Sequence, residues 1–322
     1  MTLRSTGASA ARRPHGTEQT GGASVRHARA RNWLPGLLLV APSIILVAIF
    51  VYGLIGWNFK VALSDQHHDY DVGKFVGTEN FSNIWDIRVW SSSVKNGLIF
   101  TLVFVGGALL LGFFLAFLMD KAIKGEGSFR AVYLFPMAIS FVATGVVWKW
   151  LMASPHGKDA SGLNRLFADL GLGSLQNDWY NSTTWTNMAS LALPAVWQMS
   201  GYIMALFLAG FRGVPEELRE AARVDGANEW KVYRYVVLPQ LRPVLLTSVI
   251  ILGHISLKIF DLVYSINGKS VNTEVPAIFM WQRVYDRGDA AIGATAGAYI
   301  LLAVAVFVVP YLVWFVRSEK KR

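Results

Sequence analysis

The chain has 322 residues, of which 53% are hydrophobic and 16% charged, and its net charge is +9. A charged fraction well under the roughly 25% of soluble domains indicates a membrane protein. With no cysteine, disulfides, zinc–thiolate sites and thiol nucleophiles are excluded.

Residues 1–32 are rich in Arg, Ala, Gly and Ser without apolar periodicity, and read as a disordered basic tail. Six stretches then approach the roughly 20 apolar residues that a helix needs to cross a bilayer. They are Leu34–Trp57, Gly97–Met119, Ala131–Met152, Ala189–Phe211, Val244–Tyr264 and Ala294–Val316. The first is too long for a signal-peptide core and is followed by no small-residue cleavage site, so it reads as an uncleaved anchor. Phe75–Trp85 and Leu163–Gly173 read as short helices in polar loops. Trp148, Trp150, Trp179 and Trp185 suit an interfacial belt, where Lys149 would snorkel to the headgroups.

Between the fourth and fifth stretches lies a charged loop, residues 212–243, containing EELREAARVDGANEWKVYRYVVLPQLRP. Pro215 suits a first helical turn, and Glu216 and Glu217 suit its positive end. Gly226 is placed to end that helix in a left-handed cap, and Asn228 to start the next. Trp230, Val232, Tyr233 and Val236 are expected to carry this second helix back to the membrane, and Pro239 to break it. Ala221 and Ala222 keep part of the first helix low, so another protein could approach closely. Gly293 and Gly297 form a small-residue pair suited to close helix packing at the start of the sixth stretch.

The basic residues decide orientation. Nineteen of the 30 lie in the tail, the turn after the second stretch, the 212–243 loop and the C-terminal residues 317–322. The positive-inside rule puts these segments, and both termini, in the cytoplasm. The positive charge is thereby a topology signal, and no nucleic-acid partner is expected.

No His-Glu-x-x-His or Gly-x-Ser-x-Gly pattern occurs. His67-His68 reads as a solvated loop rather than a metal site. Gly268-Lys269-Ser270 is no phosphate loop, because Val263 stands where its first glycine would fall. Neither a metal, nor a cofactor, nor a catalytic residue is expected.

The loop also carries a resemblance. Glu220, Ala221, Ala222, Gly226, Val236, Leu238 and Pro239 are similar in spacing to the coupling-loop motif of binding-protein-dependent ABC importer permeases, with Val236 where isoleucine is common. FVGTENFSNIW, VVWKWLMASPHG and FDLVYSINGK resemble the carbohydrate branch of that family. HISLKIFDLVYSI and VPAIFMWQRVYD look closest to permeases for monosaccharides such as glucose or mannose, with disaccharide, glycerol-phosphate and amino-acid relatives left open. The resemblance covers roughly residues 34–316.

It implies an all-α integral membrane protein of the MetI-like fold, with six transmembrane helices over residues 33–316 and a cytoplasmic coupling helix. It also implies a second permease subunit, two cytoplasmic ATPase subunits and an extracytoplasmic sugar-binding protein, in a bacterial or archaeal cytoplasmic membrane. Glu220, Ala221, Ala222, Asp225 and Gly226 would form the ATPase contact. A sugar needs hydrogen bonds and aromatic faces in an apolar pore. Asn96, Trp197, Gln198, Tyr202, His254, Lys258 and Asp261 are therefore candidates for the pathway. Against that, His254 also suits a hydrogen-bonded core position, and Lys258 and Asp261 an ion pair within the bundle. The alternative function is a stand-alone six-span channel or membrane enzyme.

Overall fold

The computed structural model describes residues 36, 38–68, 73–121, 125–155 and 159–319. The basic tail and the C-terminal Lys320, Lys321 and Arg322 lie outside the described residues. Two units are distinguished, one reaching to Gly56 and one from Trp57 onward.

Helix α1, Leu38–Ala62, runs through that division. Within the first unit it contains a π-helical stretch at Ala48–Gly53. Leu46, Ile49 and Phe50 there are exposed, and a helix that is apolar all round suits a lipid-facing span.

The second unit is built on a close pair, α2 (Arg88–Asp120) and α6 (Thr186–Arg212). Phe100, Phe104, Ala108, Gly112, Leu115 and Met119 form the buried stripe of α2, recurring every three or four residues. The apolar stretch of α6 is 72% buried, so α6 is the central helix. Two glycines let other backbones approach it. A Cβ on Gly112 would stand 2.7 Å from Ile203 Cβ and 2.8 Å from the Ser200 carbonyl oxygen, and one on Gly201 would collide with the Tyr133 carbonyl. Small residues permit such packing where no hydrophobic effect drives helices together.

The third expected span is not one straight helix. It consists of α3 (Glu126–Ala138) and α4 (Phe141–Leu151), bent by 97°. Pro136 lacks an N–H, Ile139 and Ser140 are extended, and the Ser140 hydroxyl accepts from Ala143 N at 3.2 Å to start α4. After α5 (Gly162–Asp169) and α6 come α7 (Glu216–Val224), α8 (Glu229–Gln240) and α9 (Arg242–Leu257). The bend between α8 and α9 is 61°, at a segment containing Pro239 and Pro243. The fifth expected span ran to Tyr264, but α9 stops at Leu257 and α10 (Asp261–Asn267) begins after a break. The second begins earlier than its apolar run, because polar residues from Arg88 continue the same helix.

Last come α11 (Pro276–Trp281) and α12 (Ala290–Glu319). A Cβ on Gly297 would stand 3.3 Å from Met280 Sδ, and one on Gly293 would press on Val284, so the small-residue pair does serve close packing. The Phe75–Trp85 segment forms a short helix at Glu79–Asn83. Among the described residues there is an isolated bridge, Ser64 with Phe75, and no strand. Among the described residues, four helices are long and apolar enough to cross a membrane, or up to six if each bent pair is one span.

Candidate functional site

The charged loop folds as local rules require. Pro215 N-caps α7, Gly226 adopts φ 83°, and Ala227 N donates to Ala222 O at 2.9 Å. That bond closes a Schellman turn, which favours glycine because a side chain is strained at this φ. The Asn228 side chain then accepts from Lys231 N at 2.9 Å to begin α8.

α7 has two faces. Glu217, Glu220, Ala221 and Val224, spaced three and four apart, are exposed. Arg219 points inward. Its guanidinium donates to Asp120 Oδ2 at 3.0 Å and to the Phe211 carbonyl at 2.7 Å, and lies 5.8 Å from the Tyr233 ring centroid. The Tyr233 hydroxyl donates to the same Asp120 oxygen. The Arg219 and Asp120 side chains are 11% and 5% exposed. One strap thus ties α7 to the ends of α2 and α6 and to α8. Arg223 bridges Glu216 at 3.0 Å and Glu229 at 2.9 Å across the turn. Arg212 pairs with Glu126 at 2.6 Å, joining α6 to α3.

Ala222 is half-buried against the protein's own core, whereas Ala221, Glu220, Asp225 and Gly226 are exposed. Val232 and Tyr233 turn inward as expected, but Trp230 is 72% exposed. On a regular helix Trp230 stands about 200° round from Val232, so the two cannot both face inward. Arg219 was missed because its sequence setting is that of any solvated charge. Its partner Asp120, closing an apolar run, is the signal that was available.

The pathway candidates do not form one cluster. Trp197 is 39% exposed on α6, and its ring centroid lies 6.0 Å from that of Trp148 on α4. Gln198 is buried, its amide donating to Ile139 O at 2.6 Å while its Oε1 has no partner. Tyr202 follows one turn on and is half-buried. Asn96 braces the far end of α2, its amide donating to Asn272 O at 3.2 Å and Glu274 O at 3.0 Å. His254 is half-buried; Lys258 and Asp261 are exposed and stand on either side of the α9–α10 break. The expected Lys258–Asp261 ion pair is not made, because three-residue spacing brings side chains together only in a continuous helix.

Beside Asn96 lies a group that sequence reasoning did not single out. Glu274 is 2% exposed, and Gln282 Nε2 donates to its Oε2 at 3.3 Å. Burial raises its pKa to about 7, against the opposing charges of Arg287 and Arg283.

Comparison with known proteins fits this architecture. Residues 108–321 match the family described as the binding-protein-dependent transport system inner membrane component. A probable ABC transporter permease protein of Pyrococcus horikoshii is 36% identical over 287 residues, covering 88% of this chain and 97% of the relative. The xylose/arabinose import permease protein XacH of Haloferax volcanii is 31% identical over 285 residues, covering 83% and 84%. In fold, the chain is similar to one in the crystal structure of a bacterial alginate ABC transporter in complex with alginate pentasaccharide-bound periplasmic protein. That match has a TM-score of 0.71 at 19% identity and covers 87% of this chain and 93% of the other. These are transport components, not enzymes, and the chain belongs to the family of binding-protein-dependent transport system inner membrane components.

Proposed function

We propose that this chain is one of two permease subunits forming the membrane pore of an importer for a small carbohydrate, a mono- or small oligosaccharide. ATP is hydrolysed by two separate cytoplasmic subunits, and an extracytoplasmic binding protein delivers the sugar. The observation that carries this reading is α7: a short helix held rigidly by Arg219 on one side, with Glu217, Glu220, Ala221 and Val224 exposed on the other. A solvated loop has no need of so firm an anchor beneath a free face. Glu220 offers the ATPase a charge, Ala221 close approach, and Asp225 and Gly226 the turn.

Six spans, each bent pair counting as one, with a cytoplasmic tail at 1–32 and a basic end at 317–322, complete the reading. For the cargo, the support is the resemblance to carbohydrate permeases and the named cargo of the Haloferax relative. Trp197 beside Trp148 supplies an aromatic face for a sugar ring. The test is ATPase activity of the reconstituted complex with its binding protein over a panel including xylose, arabinose, glucose and trehalose. Stimulation by one sugar is expected; a complex stimulated by none would remove the carbohydrate assignment.

A further inference from the structure

Helix α8 has an exposed face as well as a buried one. Val232, Tyr233 and Val237 point into the core. Trp230 and Arg234 stand four residues apart, as do Lys231 and Tyr235, and all four are exposed. They therefore form one stripe along the helix. Trp230 is 72% and Tyr235 71% exposed, a large aromatic area to leave in water. The Arg234 guanidinium lies 5.7 Å from the Tyr235 ring centroid.

The stripe is positive. Neither Lys231 nor Arg234 makes an ion pair among the described residues. The acidic residue of α8, Glu229, is bridged to Arg223 at 2.9 Å. The exposed face of α7 differs in sign, since it carries the carboxylates of Glu217 and Glu220. Neighbouring surfaces of opposite sign suit different partners.

Along the chain the stripe leads toward the membrane. Arg242 is exposed where α9 leaves the 61° bend. Beyond it, Leu245 and Leu246 are 42% and 39% exposed, within the fifth apolar stretch. Aromatic rings and cations followed by leucines is the order of chemistries from the headgroups of a bilayer to its chains. An acidic protein partner would have to stand beside the span, where lipid already lies. We propose that this stripe rests on the bilayer surface and binds the phosphate headgroups of anionic phospholipids such as phosphatidylglycerol. Lys231 and Arg234 supply the charge, and Trp230 and Tyr235 the ring area at headgroup level. Helix α8 is then held on two sides, by the chain's own core and by lipid. The proposal depends neither on the cargo nor on the ATPase contact.

The experiment uses the full chain, with the subunits that co-purify with it, in phosphatidylcholine nanodiscs. These contain either a phosphatidylglycerol or a phosphatidylcholine with a photoactivatable headgroup, and adducts are mapped by peptide mass spectrometry. Adducts of the glycerol probe should concentrate on residues 229–242, with few from the choline probe and few at Glu217 and Glu220. Each cation near an anionic lipid surface strengthens binding about fivefold. Lys231→Gln combined with Arg234→Gln should therefore lower those adducts about tenfold or more, while an unchanged Tm reports that the variant is folded. A benzophenone amino acid in place of Tyr235 should capture lipid. Equal labelling by the two probes, glycerol-probe adducts indifferent to the double variant, or capture of a protein chain at position 235 in place of lipid would each overturn the proposal.

Discussion

Arg219 is the residue that straps α7 to the ends of α2 and α6. With Asp120 it forms a nearly buried ion pair completed by the Phe211 carbonyl and Tyr233. Removing one partner of such a pair costs about 3–5 kcal/mol, because the other charge is left buried and unpaired. Arg219→Ala should therefore loosen α7 and speed its proteolysis while the spans remain inserted. The exchanged pair Asp120→Arg with Arg219→Asp should recover part of the protection. Cleavage of Arg219→Ala at the wild-type rate would show that the strap does not hold the helix. Glu274 supplies a pH dependence. With its pKa raised from 4.5 to about 7, the folded state keeps a proton that the unfolded chain has lost. Its contribution to stability should be greatest below about pH 4.5, fall as pH rises toward 7, and level off above it. Glu274→Gln should flatten that part of a Tm-against-pH curve, and an unchanged slope would exclude Glu274 as its source. Beyond the hint of an Asp120 that closes an apolar run, neither burial was legible in the sequence, because it is created by a partner more than ninety positions away in one case and by a folded loop in the other.

At the level of elements, α7 and its turn were legible almost residue by residue. Capping is a local matter: Pro215, Gly226 and Asn228 act within a few residues of themselves. Gly226→Ala should cost about 1 kcal/mol, since a side chain at φ 83° is strained. The face of α7 was less legible. The sequence offers Ala221 and Ala222 equally, but Ala222 is half-buried in the chain's own core, so a bulky residue there would disturb this protein as well as any partner. Ala221→Trp is the cleaner probe of docking. It should reduce co-purification of the ATPase about tenfold or more, the effect of overpacking at an interface, while sugar binding by the binding protein is retained. Normal association in Ala221→Trp would mean that this face is not the contact. The bend in the third expected span and the break in the fifth after Leu257 are not legible for a general reason. Apolar composition identifies which residues sit in lipid, but it is indifferent to a Pro136 or a Lys258 that interrupts the helix within the run.

For the whole molecule, orientation is the first thing to measure. Single cysteines at Gly125 and Asp225 should be shielded from impermeant reagents in sealed cells, and those at Asn177 and Asn272 labelled, with no native cysteine to interfere. Labelling of position 225 from outside would reverse the topology. Membrane residence, helical class, the capped charged loop and the family resemblance were all readable from composition, apolar runs and spacing. Each depends on residues near one another in the chain, and on a solvent that rewards apolar length directly. The choice of α6 as the central helix, the close crossings at Gly112 and Gly201 and the Arg219–Asp120 strap depend on which faces meet. In an apolar chain nearly every helix face is apolar, so hydrophobic pattern cannot rank the faces. That ranking comes from small-residue fit and from polar groups meeting across long separations, which exist only once the helices have packed.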